Sequence, residues 1–165
     1  MKSSHQTDAG AESDILRTYT KSEAAALAAQ WLDVFGKNRR GVNTKDFLWH
    51  VFSGARYPSL SGVAALAEYD KQVVHEYTVV SNERDVAFVI SERPADKLMW
   101  DYLVFPANFA WTMAFTHEAG WLGPYFARHP DYARLTAANL ARVEKEREAA
   151  EPVRRADGNR GLSMH

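Results

Sequence analysis

Cysteine is absent from the 165 residues, which removes disulfide staples, thiol nucleophiles and thiolate metal sites together. An excess of charge is missing too. Lys and Arg total 20 against 21 Asp and Glu, a formal net charge of -1. Proteins that bind nucleic acid through counterion release carry a basic excess or a basic face, so that class is disfavoured. The only concentrated basic run is Lys37, Arg39, Arg40 and Lys45, a weak footprint. No stretch approaches the roughly 20 apolar residues of a membrane span. Met1 to Asp14 is polar throughout and lacks the apolar core of a secretory signal. The expected location is cytoplasmic, with no membrane partner. A phosphate-binding Gly loop, a Gly-x-Ser-x-Gly elbow and a His-Glu-x-x-His helix are all lacking. The sequence His117-Glu118 comes nearest to the last, but position 121 is Trp, and Gly120 and Gly123-Pro124 oppose a helix. No metal and no cofactor are expected.

Aromatic residues are what the chain has in quantity. Five Trp, seven Tyr and eight Phe, within a hydrophobic share of 46 %, supply enough ring surface for a real core. The length suits one domain. Composition divides the chain into a disordered N-terminal tail (1–14), an α+β domain (15–130), a C-terminal helix (131–150) and a disordered C-terminal tail (151–165). Ala and Arg richness hints at a GC-rich bacterial genome.

Thr20 and Glu23 have capping-box spacing, and Leu27, Trp31, Val34 and Phe35 come next as one helical stripe that Gly36 stops. The run Phe47 to Phe52, FLWHVF, reads as a strand, although a short buried helix has the same composition. A second helix is expected over Val63 to Gln72, with Val63, Leu66 and Ala67 inward. Val73 to Val80 and Asp85 to Ile90 read as strands joined at Ser81–Arg84. Tyr102 to Pro106 and Phe109 to His117 form a second pair. In the latter, alternation puts Phe109, Trp111, Met113, Phe115 and His117 on one face, with Ala110, Thr112, Ala114, Thr116 and Glu118 opposite. Such alternation predicts one core face and one lightly covered or wet face. The expected architecture is a mostly antiparallel sheet of about five strands against two or three helices.

The chemistry-bearing candidates cluster late in the chain. His117 beside Glu118 is the pair that acid/base chemistry would use, since imidazole titrates near neutrality. On a regular strand the two side chains would point to opposite faces, and a structural role for both is the plainer expectation. His50 lies inside the aromatic run, where an imidazole bonded to a backbone group is the plain expectation. Thr116, Trp121 and Tyr125 complete the candidate binding set with His50, His117 and Glu118. Gly120, Gly123 and Pro124 would fold Trp121 and Tyr125 back across the end of the sheet.

Four blocks carry a resemblance: Trp31-Leu32-x-Val34-Phe35, Phe47 to Ser53, Phe109-x-Trp111-Thr112 leading to Thr116-His117-Glu118, and Gly120-Trp121-x-Gly123-Pro124-Tyr125-Phe126. Spanning residues 30 to 127, they resemble a family of small proteins of bacilli and actinobacteria known as a domain of unknown function. The resemblance implies a compact α+β domain and supplies no activity, substrate or cofactor. Family members end soon after the Gly-Pro-Tyr-Phe block, whereas this chain runs about forty residues further. With no catalytic signature, the leading expectation is a non-enzymatic protein-binding module, immunity-like or regulatory. The alternative is a small enzyme using His117 and Glu118, with His50 or Tyr125, in proton transfer.

Overall fold

The computed structural model describes residues 15–159; the expected tail 1–14 and residues 160–165 lie outside them. Eleven elements occur in order: β1 (Ile15–Thr18), α1 (Lys21–Phe35), α2 (His50–Ser53), β2 (Leu60–Ser61), α3 (Gly62–Lys71), β3 (Tyr77–Ser81), β4 (Ala87–Ile90), β5 (Tyr102–Phe105), β6 (Trp111–Phe115), β7 (Tyr125–Arg128) and α4 (Tyr132–Asn159). The strands form one seven-stranded antiparallel sheet in the order β1-β4-β3-β5-β6-β7-β2. The class is α+β, as expected, with seven strands in place of about five.

The first helix forms as its spacing demands. The Thr20 hydroxyl accepts from the Glu23 amide at 3.2 Å, and the Glu23 carboxylate accepts from the Thr20 amide at 2.9 Å, a complete capping box. Its buried stripe, Ala24, Ala28, Trp31, Leu32 and Phe35, packs on one face of the sheet. There Ala87, Ala114 and Ala127 leave room for the large helix side chains. Opposite, α3 and the start of α4 cover a face built from Tyr77, Val79, Tyr102, Trp111, Met113 and Phe115. The small-residue face of β6 is therefore not wet. Every residue of β6 is buried, because α1 brings Trp31 and Phe35 to fill what Thr112 and Ala114 leave open.

Four further expectations change. FLWHVF is a turn leading into the helix α2, not a strand. Leu48, Val51 and Phe52 are buried at helical rather than alternating spacing. Asn82 fixes the entry to this turn, accepting from the Leu48 amide at 2.9 Å and donating to the Asp46 carbonyl at 2.7 Å. In α3 the inward residues are Ala65 and Tyr69, with Leu66 half-buried, while Val63 and Ala67 are exposed. Val73 also lies outside its expected strand and is exposed. Finally, α4 continues past Ala150 to Asn159, into the segment expected to be a tail.

Burial of phenols has a measurable consequence. Tyr69, Tyr77 and Tyr102 sit in the core beneath α3, and burial pushes each hydroxyl above its ordinary pKa. Above pH of about 10 the unfolded chain loses phenolic protons that the folded chain keeps, so stability falls as pH rises. The tyrosinate absorbance of these three rings and the loss of far-UV circular dichroism should therefore appear together in an alkaline titration. Ionisation of these three rings in a chain that stays folded would contradict that linkage.

Candidate functional site

The chain leaves the sheet directly after Phe115 and turns, so strand alternation no longer governs the residues beyond it. His117 swings away from the large-residue face and meets Phe47, ring centroids 5.1 Å apart, and Trp49 at 6.3 Å. The anchor for that turn is Asp101, 1 % exposed at the entry to β5. One carboxylate oxygen accepts from the His117 backbone amide at 2.8 Å, and the other lies 2.8 Å from Nδ1. An ionised carboxylate only accepts. In the neutral imidazole it therefore places the proton on Nδ1 and leaves a lone pair on Nε2. Trp100 stacks on the outer face of the imidazole, centroids 5.6 Å apart and planes 9° from parallel. The ring is thus held from below and on both faces.

Glu118 is the neighbour of Nε2. Its Oε1 stands 3.6 Å away, too far for a hydrogen bond. The adjacency that regular alternation disfavoured is achieved because the backbone here is a turn. The loop is closed by the Thr116 hydroxyl, which donates to the Leu122 carbonyl, and by the Glu118 carbonyl, which accepts from the Trp121 and Leu122 amides. Gly123 adopts φ +93, and a Cβ there would lie 2.9 Å from Thr116 Cγ2. Glycine lets the loop close on both counts.

The six sequence candidates divide by burial. Thr116 and Tyr125 are buried at 6 % each, and Trp121 is 82 % exposed. Tyr125 therefore packs under the loop, stacked on Trp49 at 6.1 Å, while Trp121 projects from it. Burial first, and then the Glu118 charge, push the Tyr125 phenol above its ordinary pKa. His50 shares the Phe47 and Trp49 rings with His117. Its Nδ1 faces the Asn43 carbonyl at 2.7 Å, the backbone partnership expected of it. Trp49 itself is 2 % exposed, yet its indole N–H has no hydrogen-bond partner. Among the described residues no three His, Asp or Glu side chains gather as metal ligands would.

Asp101 and Trp100 were not among the sequence candidates. Asp101 lies 16 residues from His117 in an irregular connector, and no local motif links the two. Elsewhere, an apolar groove of about 550 Å³ runs between Tyr57–Leu60 and Phe126–Pro130, apart from the imidazole.

A family model described as a domain of unknown function (DUF4275) matches residues 14–126. The chain belongs to this family. Curated proteins and solved structures yield no match. The DUF4275 region contains every side chain of the imidazole cluster, from Phe47 to Tyr125, and both covering faces of the sheet except α4. Among the described residues, no helix of this protein is long and apolar enough to cross a membrane.

Proposed function

We propose that this DUF4275 protein is a non-enzymatic binding module of regulatory or immunity-like type, which holds another protein through Trp100, His117, Glu118 and Trp121. The observation that carries the reading is the exposure of two indoles, 73 % at Trp100 and 82 % at Trp121, on loops pinned from beneath by buried polar anchors. Tryptophan left in water on a braced loop loses little conformational freedom on binding, and tryptophan dominates interface hot spots. Thr116 and Tyr125 support that face from below, and His50 braces the aromatic wall behind it.

Acid/base catalysis is the second reading, favoured by one feature: a buried carboxylate orienting an imidazole as in Asp–His dyads. His117 would be the base, with Glu118 or Tyr125 as its proton partner.

Trp100→Ala and Trp121→Ala should each change unfolding free energy by no more than about 0.5 kcal/mol, as surface substitutions do. Together they should abolish capture of the partner from a native lysate. Undiminished capture by the folded double variant would refute the binding reading. Turnover of a small molecule by that same variant would favour catalysis.

A further inference from the structure

Strands β4 and β5 flank β3 and each runs antiparallel to it, so they are parallel to one another. The chain between them must travel back along the sheet, a crossing usually made by a helix that satisfies its own backbone. Here residues 91–100 are neither helix nor strand. Among the described residues, no backbone amide or carbonyl of 92–100 bonds to backbone elsewhere.

Side chains hold this strap instead. The Tyr69 hydroxyl donates to the Pro94 carbonyl at 2.6 Å. The Tyr102 hydroxyl donates to the Ala95 carbonyl at 2.5 Å and accepts from the Leu98 amide at 3.3 Å. From the strap itself, Arg93 donates to the Gln72 carbonyl at 2.5 Å and lies over the Tyr69 ring. Pro94 is buried and Met99 half-buried, while every other residue of 91–100 is exposed. Lys97 has φ +71, a left-handed conformation that a Cβ disfavours. A segment with few apolar contacts and no backbone ladder belongs to the least stable part of a fold.

Its two ends are fixed differently. Ile90 is paired within the sheet. Asp101 is held through its carbonyl by the Asn82 amide and through its carboxylate by His117. The last residue able to move with the strap is therefore Trp100, whose indole lies stacked on the imidazole of His117.

We infer that residues 91–100 open as one unit while the sheet stays folded, and that opening lifts Trp100 from His117. The tethers from Tyr69, Tyr102 and Arg93 keep the strap closed. In the open state the outer face of the imidazole is uncovered, and a group that lies on that face must wait for the strap. This goes beyond the binding reading and does not depend on it, since the strap opens whether or not a protein docks.

The test follows hydrogen exchange in the full chain, 15N-labelled, at the Leu98 amide and at Val79 and Thr112 in the sheet. Tyr69→Phe and Arg93→Ala each remove a tether without touching the Leu98 bond. Each should speed exchange at Leu98 about fivefold, the factor that one net hydrogen bond is worth, and leave Val79 and Thr112 unchanged. Arg93 is exposed, so its variant carries the test should Tyr69→Phe disturb the core. With Tyr69→Phe, Tyr102→Phe and Arg93→Ala combined, the His117 ring-proton signals should take the positions they have in Trp100→Ala. Should the triple variant unfold, the double variant Tyr69→Phe/Arg93→Ala is read in its place, with movement towards those positions expected.

Leu98 exchange that is indifferent to both substitutions, or that quickens only in step with Val79 and Thr112, overturns the inference. His117 signals that stay in place in the folded multiple variant overturn its second half, because Trp100 then does not travel with the strap.

Discussion

Asp101→Asn is expected to leave the chain folded while reversing the hydrogen-bonding character of His117. The backbone amide of His117 can only donate, so the Asn oxygen must take the place of the carboxylate oxygen 2.8 Å from it. The Asn NH2 then faces Nδ1 and donates to it. That forces the neutral imidazole to carry its proton on Nε2. The group aimed at Glu118 thereby changes from acceptor to donor and bonds to that carboxylate. Heteronuclear spectra of the imidazole nitrogens should show Nδ1 protonated in the parent and Nε2 protonated in the variant. Stability should fall by about 1–3 kcal/mol, the range for losing a hydrogen bond to a charged group. Asp101→Ala should cost more than Asp101→Asn, because the His117 amide and Nδ1 both lose their partner. An unchanged tautomer in a folded Asp101→Asn variant would show that Asp101 does not set the imidazole. Under the catalytic reading the same substitution removes the base.

Legibility of the fold tracked the physics of each segment. The first helix was legible because capping and burial are both local: Thr20, Glu23 and the Trp31–Phe35 stripe lie on one short stretch of chain. The β3–β4 pair and the β5–β6 pair were legible because a buried strand is a continuous apolar run. The sheet edges were not. Every residue of β1 is exposed and β2 contains only two residues, so neither leaves a hydrophobic period to read. In β7, Tyr125–Arg128, the aromatic block belongs to a strand as well as to the turn before it. FLWHVF misled because rings satisfy a strand propensity and a buried helical turn equally, and the deciding contact is Asn82, far along the chain.

The site divides the same way. His117, Glu118, Tyr125 and His50 were visible as chemistry, since side-chain type is written in the sequence. Their arrangement was not. Alternation separates His117 from Glu118, and the turn that brings them together depends on Asp101, whose position relative to His117 is fixed only when β5 pairs with β6. A residue that acts across a strand pair leaves no periodic trace. Trp100 escaped notice for a related reason, because exposure rather than spacing distinguishes it from the core tryptophans.

The five tryptophans should separate into two energetic classes. Trp31, Trp49 and Trp111 are at most 2 % exposed, whereas Trp100 and Trp121 are largely in water. Trp31 gives the clearest measure of the first class. Its ring is 5.4 Å from Phe35 and 5.6 Å from Phe52, and its indole N–H donates to the Thr112 hydroxyl at 2.9 Å. That hydroxyl in turn donates to the Val104 carbonyl at 3.3 Å, so one chain of bonds ties α1 to β6 and β5. Trp31→Ala should cost about 3–5 kcal/mol, from lost transfer energy and the cavity over Ala114. Against a total stability of about 5–15 kcal/mol, that loss leaves the fold marginal. Thr112→Val keeps the shape and strands the indole N–H, and should cost about 1–3 kcal/mol. A double-mutant cycle with Trp31→Phe should recover part of that cost, because the stranded donor is then gone. Denaturant unfolding reads each value, with Trp121→Ala as the surface reference. Similar losses for Trp31→Ala and Trp121→Ala would contradict the placement of α1 on the sheet. The expected disparity means that Trp31 holds α1 on the sheet, whereas Trp100 and Trp121 lie in water and contribute little to the fold.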